Sequence, residues 1–286
     1  MIRTADYLYR WTGDPAYADY IERNIYNGIL AQQHPHTGMV AYFLPMAAGF
    51  TKGGEKGWGT PTMDFWCCHG SLVQAQVRYL ENIYYQSNRG LTLAQYIPSR
   101  LKWQNGKANV EVRQECLANV YDKAATANRW RMKITIAADE PTNLDLRLRL
   151  PWWLTEKAKV TVNGVSHPVS ALHGYVTITR QWHHDEILVE FPTRVTAVPM
   201  PDAKNLYALM EGPIVLAGLI DREVSLRGNV QQPESFVERE YEHEYKVFPW
   251  KQSHYRTVNQ PTNFRFVPLY EVADERYSIY FPVHKP

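Results

Sequence analysis

The chain has 286 residues, of which 45% are hydrophobic and 21% are charged. At roughly 100–200 residues per domain, this length corresponds to about two domains with cores of their own. The 31 basic and 29 acidic side chains leave a net charge of +2, which excludes the strongly basic surface that nucleic acids or anionic membranes require. The three cysteines are too few and unevenly placed for a disulfide framework.

The sequence predicts neither a membrane-spanning segment nor a secretory signal. The longest apolar stretches, such as Ile214–Ile220, are far shorter than the roughly 20 residues that span a bilayer. The first residues lack the apolar core and cleavage site of a secretory signal. We therefore expect a cytoplasmic protein whose partners include neither a membrane nor a nucleic acid.

Residues 1–86 show the 3.6-residue periodicity of helices. Asp14 followed by Pro15 is a helix-start signature, and apolar residues at i, i+4 spacing come after it. This pattern predicts a helix from Pro15 to about Gln32. A second amphipathic pattern predicts a helix from Ser71 to about Gln86.

A long segment, His34–Trp66, separates these two predicted helices. It is rich in glycine and proline and has no sustained period, which predicts a loop with one short strand at Met39–Leu44. Loops of this length inside compact domains are commonly functional.

After residue 87 the hydrophobic period changes from 3.6 to 2, which is typical of β-strands. Asn105-Gly106 and Asn163-Gly164 are suited to two-residue hairpin turns. Short strands separated by such turns predict an antiparallel sandwich. The predicted strands are Leu91–Ile97, Leu101–Trp103, Ala108–Cys116, Trp130–Ala137, Leu144–Leu150, Lys159–Val162, Tyr175–Thr179 and Ile187–Phe191. Apolar runs at Leu206–Gly218 and Tyr277–Val283 predict a second, smaller β region.

These patterns divide the chain into a helical part at 1–86, a β-sandwich at 87–200 and a smaller β domain at 201–286. The helical part has two or three helices and a long loop, which is too little to close a core of its own. It therefore predicts the end of a larger helical domain. The apolar faces that it leaves uncovered favour self-association.

The most specific motif is Asp64-Phe-Trp-Cys-Cys-His-Gly70, directly before the predicted helix at Ser71. A helix N-terminus stabilises thiolates through its free N–H groups and partial positive charge, so we expect thiolates at Cys67 and Cys68. Adjacent thiolates can also bind one soft metal ion, of which zinc is the commonest in proteins. The alternative is that both cysteines pack as small apolar residues beneath the loop.

The remaining cysteine and the histidines give weaker signals. Cys116 lies on an alternating strand and is expected to be buried. His34 and His36 flank a proline in the loop, and both are expected to be solvated turn residues. The same is expected of the pair His183 and His184, which precedes a strand.

Two arginines and the aromatic residues complete the candidates. Arg147 and Arg149 alternate with leucines, which predicts the solvent-exposed face of a strand rather than a phosphate site. The 9 Trp, 19 Tyr and 9 Phe could serve a sugar site, but aromatic residues are also favoured in strands.

Several segments carry a resemblance to a known family. They are Leu8–Leu30, Gly38–Pro45, Phe65–Gly70, Val162–Gly164 and Ala208–Gly218, with the motifs Trp-Cys-Cys-x-Gly and Met-Glu-Gly-Pro. In this order they resemble the glycoside hydrolase family 127 β-L-arabinofuranosidases and their DUF1680 relatives. The resemblance implies an α+β multidomain fold, in which the C-terminal part of a six-hairpin (α/α)6 barrel is followed by antiparallel β-sandwich domains.

The resemblance also implies that β-L-arabinofuranosides are hydrolysed with retention of configuration. The partner would be an L-arabinofuranose-containing oligosaccharide or glycoconjugate. In the family, the first cysteine of the pair is the nucleophile and both cysteines contact zinc, which implies these roles for Cys67 and Cys68. A zinc-stabilised thiolate would then form a thioglycosyl intermediate in place of the usual glycosyl ester.

Two further residues lie at spacings that match sugar-contacting residues of the family. They are the helix glutamate Glu22 and the loop tyrosine Tyr42, for which the resemblance implies a substrate-binding role. The alternatives are a solvated helix acid and a buried strand tyrosine.

One departure from the family pattern limits these expectations. The further zinc ligands, a glutamate and a cysteine, and the glutamic acid that protonates the leaving oxygen are expected upstream of the matched segments. Glu22, Glu55 and Glu81 are the glutamates before the β region, and none forms a Glu-x-Cys pair. Two thiolates make an incomplete zinc site, and a missing general acid typically removes a factor of about 10²–10⁴ in rate. We therefore expect low zinc occupancy and little or no activity from this chain alone.

The missing acid also favours a different class of function. The chain could be a non-catalytic β-sandwich module that binds carbohydrate or another protein and carries a remnant helical arm. A thiol redox protein is a weaker alternative, because Cys67-Cys68 lacks the two-residue spacing of a Cys-x-x-Cys site.

Overall fold

A computed structural model describes residues 1–54, 57–60, 62–64, 66–117, 128–240 and 253–285. The helices are α1 (Ile2–Thr12), α2 (Pro15–Asn24) and α3 (Cys67–Arg78). The strands are β1 (Tyr84–Ser87), β2 (Gly90–Leu93), β3 (Ser99–Asn105), β4 (Ala108–Leu117), β5 (Asn128–Leu150), β6 (Lys159–Val162), β7 (Val165–His167), β8 (Gly174–Thr193), β9 (Val195–Met200), β10 (Ala203–Glu211), β11 (Ile214–Gly218), β12 (Leu226–Arg227), β13 (Val237–Arg239), β14 (Tyr255–Thr257), β15 (Arg265–Pro268) and β16 (Phe281–His284). None of the described helices is long and apolar enough to cross a bilayer.

The chain forms two compact units. The first unit comprises residues 1–22 and 79–194, and the second unit comprises residues 23–78 and 195–286. Each unit combines one many-stranded sheet with a stretch of the N-terminal helical part. The predicted α+β class is confirmed, whereas the six-hairpin barrel and the predicted domain ranges stay predictions.

The helix predicted from Pro15 to Gln32 is confirmed. It is capped by Asp14, whose Oδ1 accepts a hydrogen bond from the Ala16 N–H at 2.9 Å. After α2 the chain stays helical through a π-helical turn at Ile25–Ile29 and a 3-10 turn at Leu30–Gln32.

Helix α3 differs from its prediction at both ends. It begins at Cys67 rather than Ser71, so the cysteine pair lies in its first turn. It ends at Arg78, and after a 3-10 turn the residues Tyr84–Ser87 pair as β1 with β2. The predicted continuation to Gln86 is wrong because this strand pairing overrides the helical pattern.

The first sheet has eight strands in the order β1-β2-β5-β8-β6-β7, with β4 also paired to β5 and β3 paired to β4. The predicted turn at Asn163-Gly164 is confirmed as the β6–β7 hairpin. The β3–β4 hairpin is also present, but its turn is one residue later than predicted, at 106–107, because Asn105 pairs with Ala108. Asn163 and Gly164 have φ angles of 50° and 79°, as a two-residue turn of this kind requires.

Three predictions for this sheet are wrong. The sequence predicts two separate strands in place of β5 and two in place of β8. Instead β5 and β8 are each continuous and pair along nearly their whole length, with one register shift between Ala137 and Thr142. His183 and His184 therefore lie within β8 and not in a turn. The sheet is also not purely antiparallel, because β2 runs parallel to β5.

Arg149 of β5 is buried at 0% exposure, so its predicted place on a solvent-exposed face is wrong. Its guanidinium forms ion pairs with Asp19 and Glu22 of α2, and its Nη2 lies 2.6 Å from Glu22 Oε1. Burial alone would lower the pKa of Arg149, but the charges of Glu22 and Asp19 raise it, so the guanidinium stays charged. The neighbouring Arg147 is half-buried, with its guanidinium 4.0 Å from the centre of the Tyr175 ring.

The second sheet has eight strands in the order β12-β16-β10-β11-β15-β14-β13, with β9 paired to β10. The predicted apolar run Leu206–Gly218 lies in the β10–β11 hairpin. Asn27 joins the helical stretch of this unit to that hairpin: its Nδ2 donates to Pro213 O at 2.7 Å, and its Oδ1 accepts from the Val215 N–H at 2.8 Å. The core of this unit includes Ala31, Ala217, Val267, Leu269, Val272, Tyr277 and Ile279.

The loop His34–Trp66 belongs to the second unit and is held by many separate contacts. The predicted strand Met39–Leu44 is absent, and isolated bridges pair Gln33 with Val40 and Ala41 with Trp58. At the other side of the loop, Tyr277 Oη donates to Pro45 O and Arg276 Nη1 donates to Gly49 O, both at 2.8 Å. The loop is thus anchored by partners distant in sequence.

Lys52 lies inside this loop with its side chain buried at 1% exposure. Its Nζ has no hydrogen-bond partner among the described residues and lies 5.9 Å from the centre of the Trp58 ring. Burial lowers the pKa of Lys52 to about 7, although the charge of Glu275 opposes the shift. Lys52 is therefore a buried amine that is costly to protonate.

We expect Arg149→Met to destabilise the chain by about 3–5 kcal/mol, because Asp19 and Glu22 would lose their buried counter-charge. Urea denaturation followed by circular dichroism measures the change. Arg147→Met is the matched control two residues along the same strand, with an expected loss of about 1 kcal/mol from its ring contact. Equal effects of the two substitutions would contradict a special role for Arg149.

We also expect the stability to rise with pH between 7 and 9. The pKa of Lys52 is about 7 in the folded state and about 10.4 in the unfolded state. Between pH 7 and 9 the unfolded chain therefore binds more protons than the folded chain, and raising the pH increases the free energy of unfolding. The expected gain is about 2 kcal/mol. Lys52→Met should remove it, whereas Lys204→Met, at an exposed position, should not. An unchanged pH slope in Lys52→Met would be contrary evidence.

Candidate functional site

The cysteine pair lies in the first turn of α3. Cys67 is exposed and Cys68 is partly buried, so the alternative that both merely pack beneath the loop does not apply to Cys67. Their Sγ atoms are 3.8 Å apart. The Cys67 thiol is therefore accessible from solvent at the N-terminal end of α3.

Three aromatic rings lie together beside the cysteine motif within the second unit: Trp66 and His69 flank the pair in sequence, and Tyr42 interacts with its thiols. The centre of the Tyr42 ring lies 5.3 Å from that of Trp66 and 6.1 Å from that of His69, and Trp66 and His69 are 5.0 Å apart. Phe43 adds a fourth ring, in edge contact with Tyr42 at 4.5 Å. Phe43 and Trp66 are 51% and 37% exposed, so the cysteines are bordered by accessible aromatic surface.

The Tyr42 hydroxyl interacts with both thiols. Hydrogen bonding to Cys68, together with negative charge on Cys68 and Cys67, raises the pKa of Tyr42. Tyr42 therefore keeps its proton and donates a hydrogen bond towards sulfur. The structure thus brings together three of the four predicted site residues: Tyr42, Cys67 and Cys68.

Glu22, the fourth, belongs to the first unit. Its Oε1 accepts from Arg149 as described above, and its Oε2 accepts from Trp153 Nε1 at 2.9 Å. The alternative of a solvated helix acid is wrong, because Glu22 is 2% exposed. Its sugar-binding role stays a prediction.

His69 was not singled out from the sequence. Its side chain is 6% exposed, and its Nε2 lies 3.2 Å from Val40 O, to which it donates. A Cβ at Gly59 would come within 2.6 Å of His69 Nε2, so the glycine leaves the space that this ring occupies. The signal in the sequence was its place next to the cysteines, but nothing there indicated its partner Val40.

The other candidates from the sequence have no place in this cluster. Cys116 is exposed, so its predicted burial is wrong: it shares a face of β4 with the buried Val110, Val112 and Gln114, but it lies near the end of the strand, where that face is no longer covered. His34 is buried rather than solvated, because its Nδ1 accepts from the His36 and Thr37 N–H groups.

The spacing of the two thiols suits two ligands of one zinc ion. Two thiolates about 2.3 Å from a tetrahedral zinc ion lie about 3.8 Å apart, which is the Sγ separation found. Within the described residues, however, no group of three or more His, Cys, Asp or Glu side chains could hold a metal ion. The pair fits two corners of a zinc site, and the described part of the chain does not complete it.

Two family models match the sequence. The β-L-arabinofuranosidase GH127 catalytic domain matches residues 1–81, and the β-L-arabinofuranosidase GH127 middle domain matches residues 90–193. Together with the two-sheet fold, these matches define a glycoside hydrolase scaffold. The chain belongs to the GH127 family, which confirms the resemblance noted in its motifs.

Solved structures share this fold. Ara127N-Se, a GH127 β-L-arabinofuranosidase from Geobacillus stearothermophilus T6, has a TM-score of 0.72 and 18% identity, covering 100% of this chain and 48% of its own. The GH127 β-arabinofuranosidase BT3674 has a TM-score of 0.74 and 18% identity, covering 100% and 49%. A third protein, described as a glycoside hydrolase, has a TM-score of 0.69 and 17% identity, covering 96% and 50%. The chain therefore spans about half the length of these proteins. No curated protein sequence matches it.

We expect the chain to bind Zn²⁺ only weakly, because two thiolates are fewer than the three protein ligands of ordinary zinc sites. Competition with a chromophoric chelator measures the affinity. Cys68→Ser should weaken binding at least about tenfold, whereas Cys116→Ser, at the exposed thiol of the first unit, should leave it unchanged. Tight binding that survives Cys68→Ser would show that the pair is not the site.

Proposed function

We propose that the chain is part of a glycoside hydrolase that acts on β-L-arabinofuranosides, with Cys67 as its nucleophile. The observation that carries the proposal is the exposed Cys67 thiol in the first turn of α3, beside Tyr42 and Trp66, in a member of GH127. A nucleophile at a helix N-terminus with aromatic surface beside it suits a sugar, whose C–H faces pack on rings while the sulfur meets the anomeric carbon.

The proposed reaction has two displacement steps. Cys67 Sγ attacks the anomeric carbon, an S–C bond forms, and the C–O bond to the leaving group breaks as that oxygen takes a proton from a general acid. Water then attacks the same carbon and gives a proton to the conjugate base of the general acid, while the S–C bond breaks and Cys67 leaves as the thiolate. Two inversions give net retention of configuration.

The chain's own residues would assist in separate ways. Tyr42, protonated and directed at the thiols, would hold the sulfur in place and orient a sugar hydroxyl, and Trp66 would pack against the ring of the sugar. The sugar-binding role predicted for Glu22 would rest on a side chain that Arg149 and Trp153 orient within the first unit. A zinc ion, when bound by Cys67 and Cys68 with donors beyond the described residues, would keep the thiols deprotonated.

The proposal includes the helical barrel. Trp11 of α1 and Val77 of α3 are 78% and 69% exposed, which is unusual for large apolar side chains on helices of a closed domain. Within each unit these faces fit helices at the edge of a larger helical array. Self-association through such faces is the corresponding prediction for this chain when it stands alone.

The experiment is a covalent-trapping assay on the full chain in the presence of zinc. A dinitrophenyl β-L-arabinofuranoside carries a leaving group that needs little protonation, so it bypasses a weak general acid. We expect mass spectrometry to show one pentosyl group on Cys67, with release of dinitrophenol at a rate at least about 10²-fold above that of an alkyl arabinofuranoside.

Two variants make this assay decisive. Cys67→Ala should abolish both the adduct and the release, and Cys116→Ser should leave both unchanged. Aglycone release that persists in Cys67→Ala, or the absence of any adduct in the wild type, would refute the proposed nucleophile. Calorimetric binding of arabino-oligosaccharides without an adduct would instead support the carbohydrate-binding module.

A further inference from the structure

The contacts of His69 set it apart from the neighbouring residues of the cysteine motif. It is buried within the cluster, and its Nδ1 has no hydrogen-bond partner among the described residues. Its hydrogen bond from Nε2 to Val40 O is therefore the polar contact that orients the ring. That bond joins the first turn of α3 to a loop residue only two positions before Tyr42.

The same carbonyl is held from a second direction. Val40 O also accepts the Gly59 N–H at 3.0 Å, so three separate stretches of the second unit meet at one oxygen atom. Gly59 has no side chain, which lets the His69 ring approach this point. The backbone before Tyr42 is thus fixed relative to the helix that carries the cysteines.

Ring contacts act on the Tyr42 side chain itself. His69 and Trp66 contact Tyr42 at 6.1 Å and 5.3 Å between ring centres, and they contact each other at 5.0 Å. Each of the three rings contacts the other two, so a shift of the His69 ring changes the surface against which the Tyr42 ring packs. Both the main chain and the ring of Tyr42 therefore depend on His69.

We propose that His69 is a positioning residue, which holds the Tyr42 hydroxyl against the thiols of Cys67 and Cys68 by bonding Val40 O and packing on the Tyr42 ring. The catalytic meaning of this arrangement rests on the proposed function of Cys67. The arrangement itself is a property of this chain's thiols and can be measured without turnover.

The test is site-resolved alkylation of the full chain by iodoacetamide at about pH 9.5, above the ordinary thiol pKa of about 8.5. A chelator removes metal, and initial rates at Cys67, Cys68 and Cys116 are read by mass spectrometry. Because the Tyr42 hydroxyl hydrogen-bonds to the Cys68 sulfur, it should slow the reaction of Cys68. Tyr42→Phe should therefore raise the rate at Cys68 relative to Cys67 by about threefold to tenfold.

The His69 variants separate the hydrogen bond from the ring. His69→Phe keeps a ring but cannot donate to Val40 O, and it should raise the relative rate at Cys68 as much as Tyr42→Phe does. The double variant should show no further increase, because both changes break one arrangement. His69→Gln retains an N–H donor and should stay within about twofold of the wild type.

Controls keep each outcome interpretable. The rate at the exposed Cys116 should stay constant in every variant, and thermal unfolding checks that each one is folded. If His69→Phe does not fold, Gly59→Ala displaces the ring while keeping the histidine, and the same increase at Cys68 is expected.

The proposal is overturned if Tyr42→Phe leaves the ratio unchanged, if His69→Phe keeps the wild-type ratio, or if the effects of His69→Phe and Tyr42→Phe simply add. If the alkylation rates of the wild type and the variants follow these expectations but no pentosyl adduct forms on Cys67, the proposed hydrolase function is refuted and the role of His69 stands.

Discussion

The first unit depends on a full positive charge enclosed in its core. Arg149 has no exposed surface, and taking a guanidinium out of water costs several kcal/mol unless the charge is matched. Asp19 and Glu22 supply the opposite charges, and Ala94 O accepts a further hydrogen bond from Arg149 Nε. Because the two acids lie one turn apart on α2, the helix can meet β5 in only one rotation about its axis. The same contacts orient Glu22, so a predicted site residue is held by a strand that the GH127 middle-domain model matches.

In the second unit the constraint comes from a loop rather than from a charge. The described residues of His34–Trp66 have little regular structure, yet single hydrogen bonds fix them at intervals: Tyr277 and Arg276 donate to loop carbonyls, and Trp58 of the loop donates to Asp274. These contacts join residues more than 200 positions apart, so the entropy of ordering the loop is offset by partners in the segment between β15 and β16. Tyr42 and Val40 lie within this loop, which is why a residue next to the cysteines can position them.

The cysteine site combines three independent properties. The cysteines lie in the first turn of a helix with Cys67 exposed, the aromatic rings give an accessible apolar surface, and the Tyr42 hydroxyl is a hydrogen-bond partner of the sulfur. Membership of GH127 gives this combination its chemical context. The Sγ separation suits two ligands of one metal ion, whereas the described residues around it do not complete a metal site.

Features set by local sequence were predictable. Asp followed by Pro favours the start of a helix and Asn-Gly pairs favour tight turns, so α2 and two hairpins followed from the sequence. The Cys67-Cys68 motif also marked the candidate site. Arg149, Cys116 and His69 did not follow. An alternating pattern shows that a strand has two faces but not which face another element covers, and a histidine does not show which distant carbonyl it will meet. Local sequence therefore determined the elements and the reactive pair, while burial of Arg149 beneath α2 and the approach of Val40 to His69 were decided by tertiary packing, because both depend on partners brought together only by the fold.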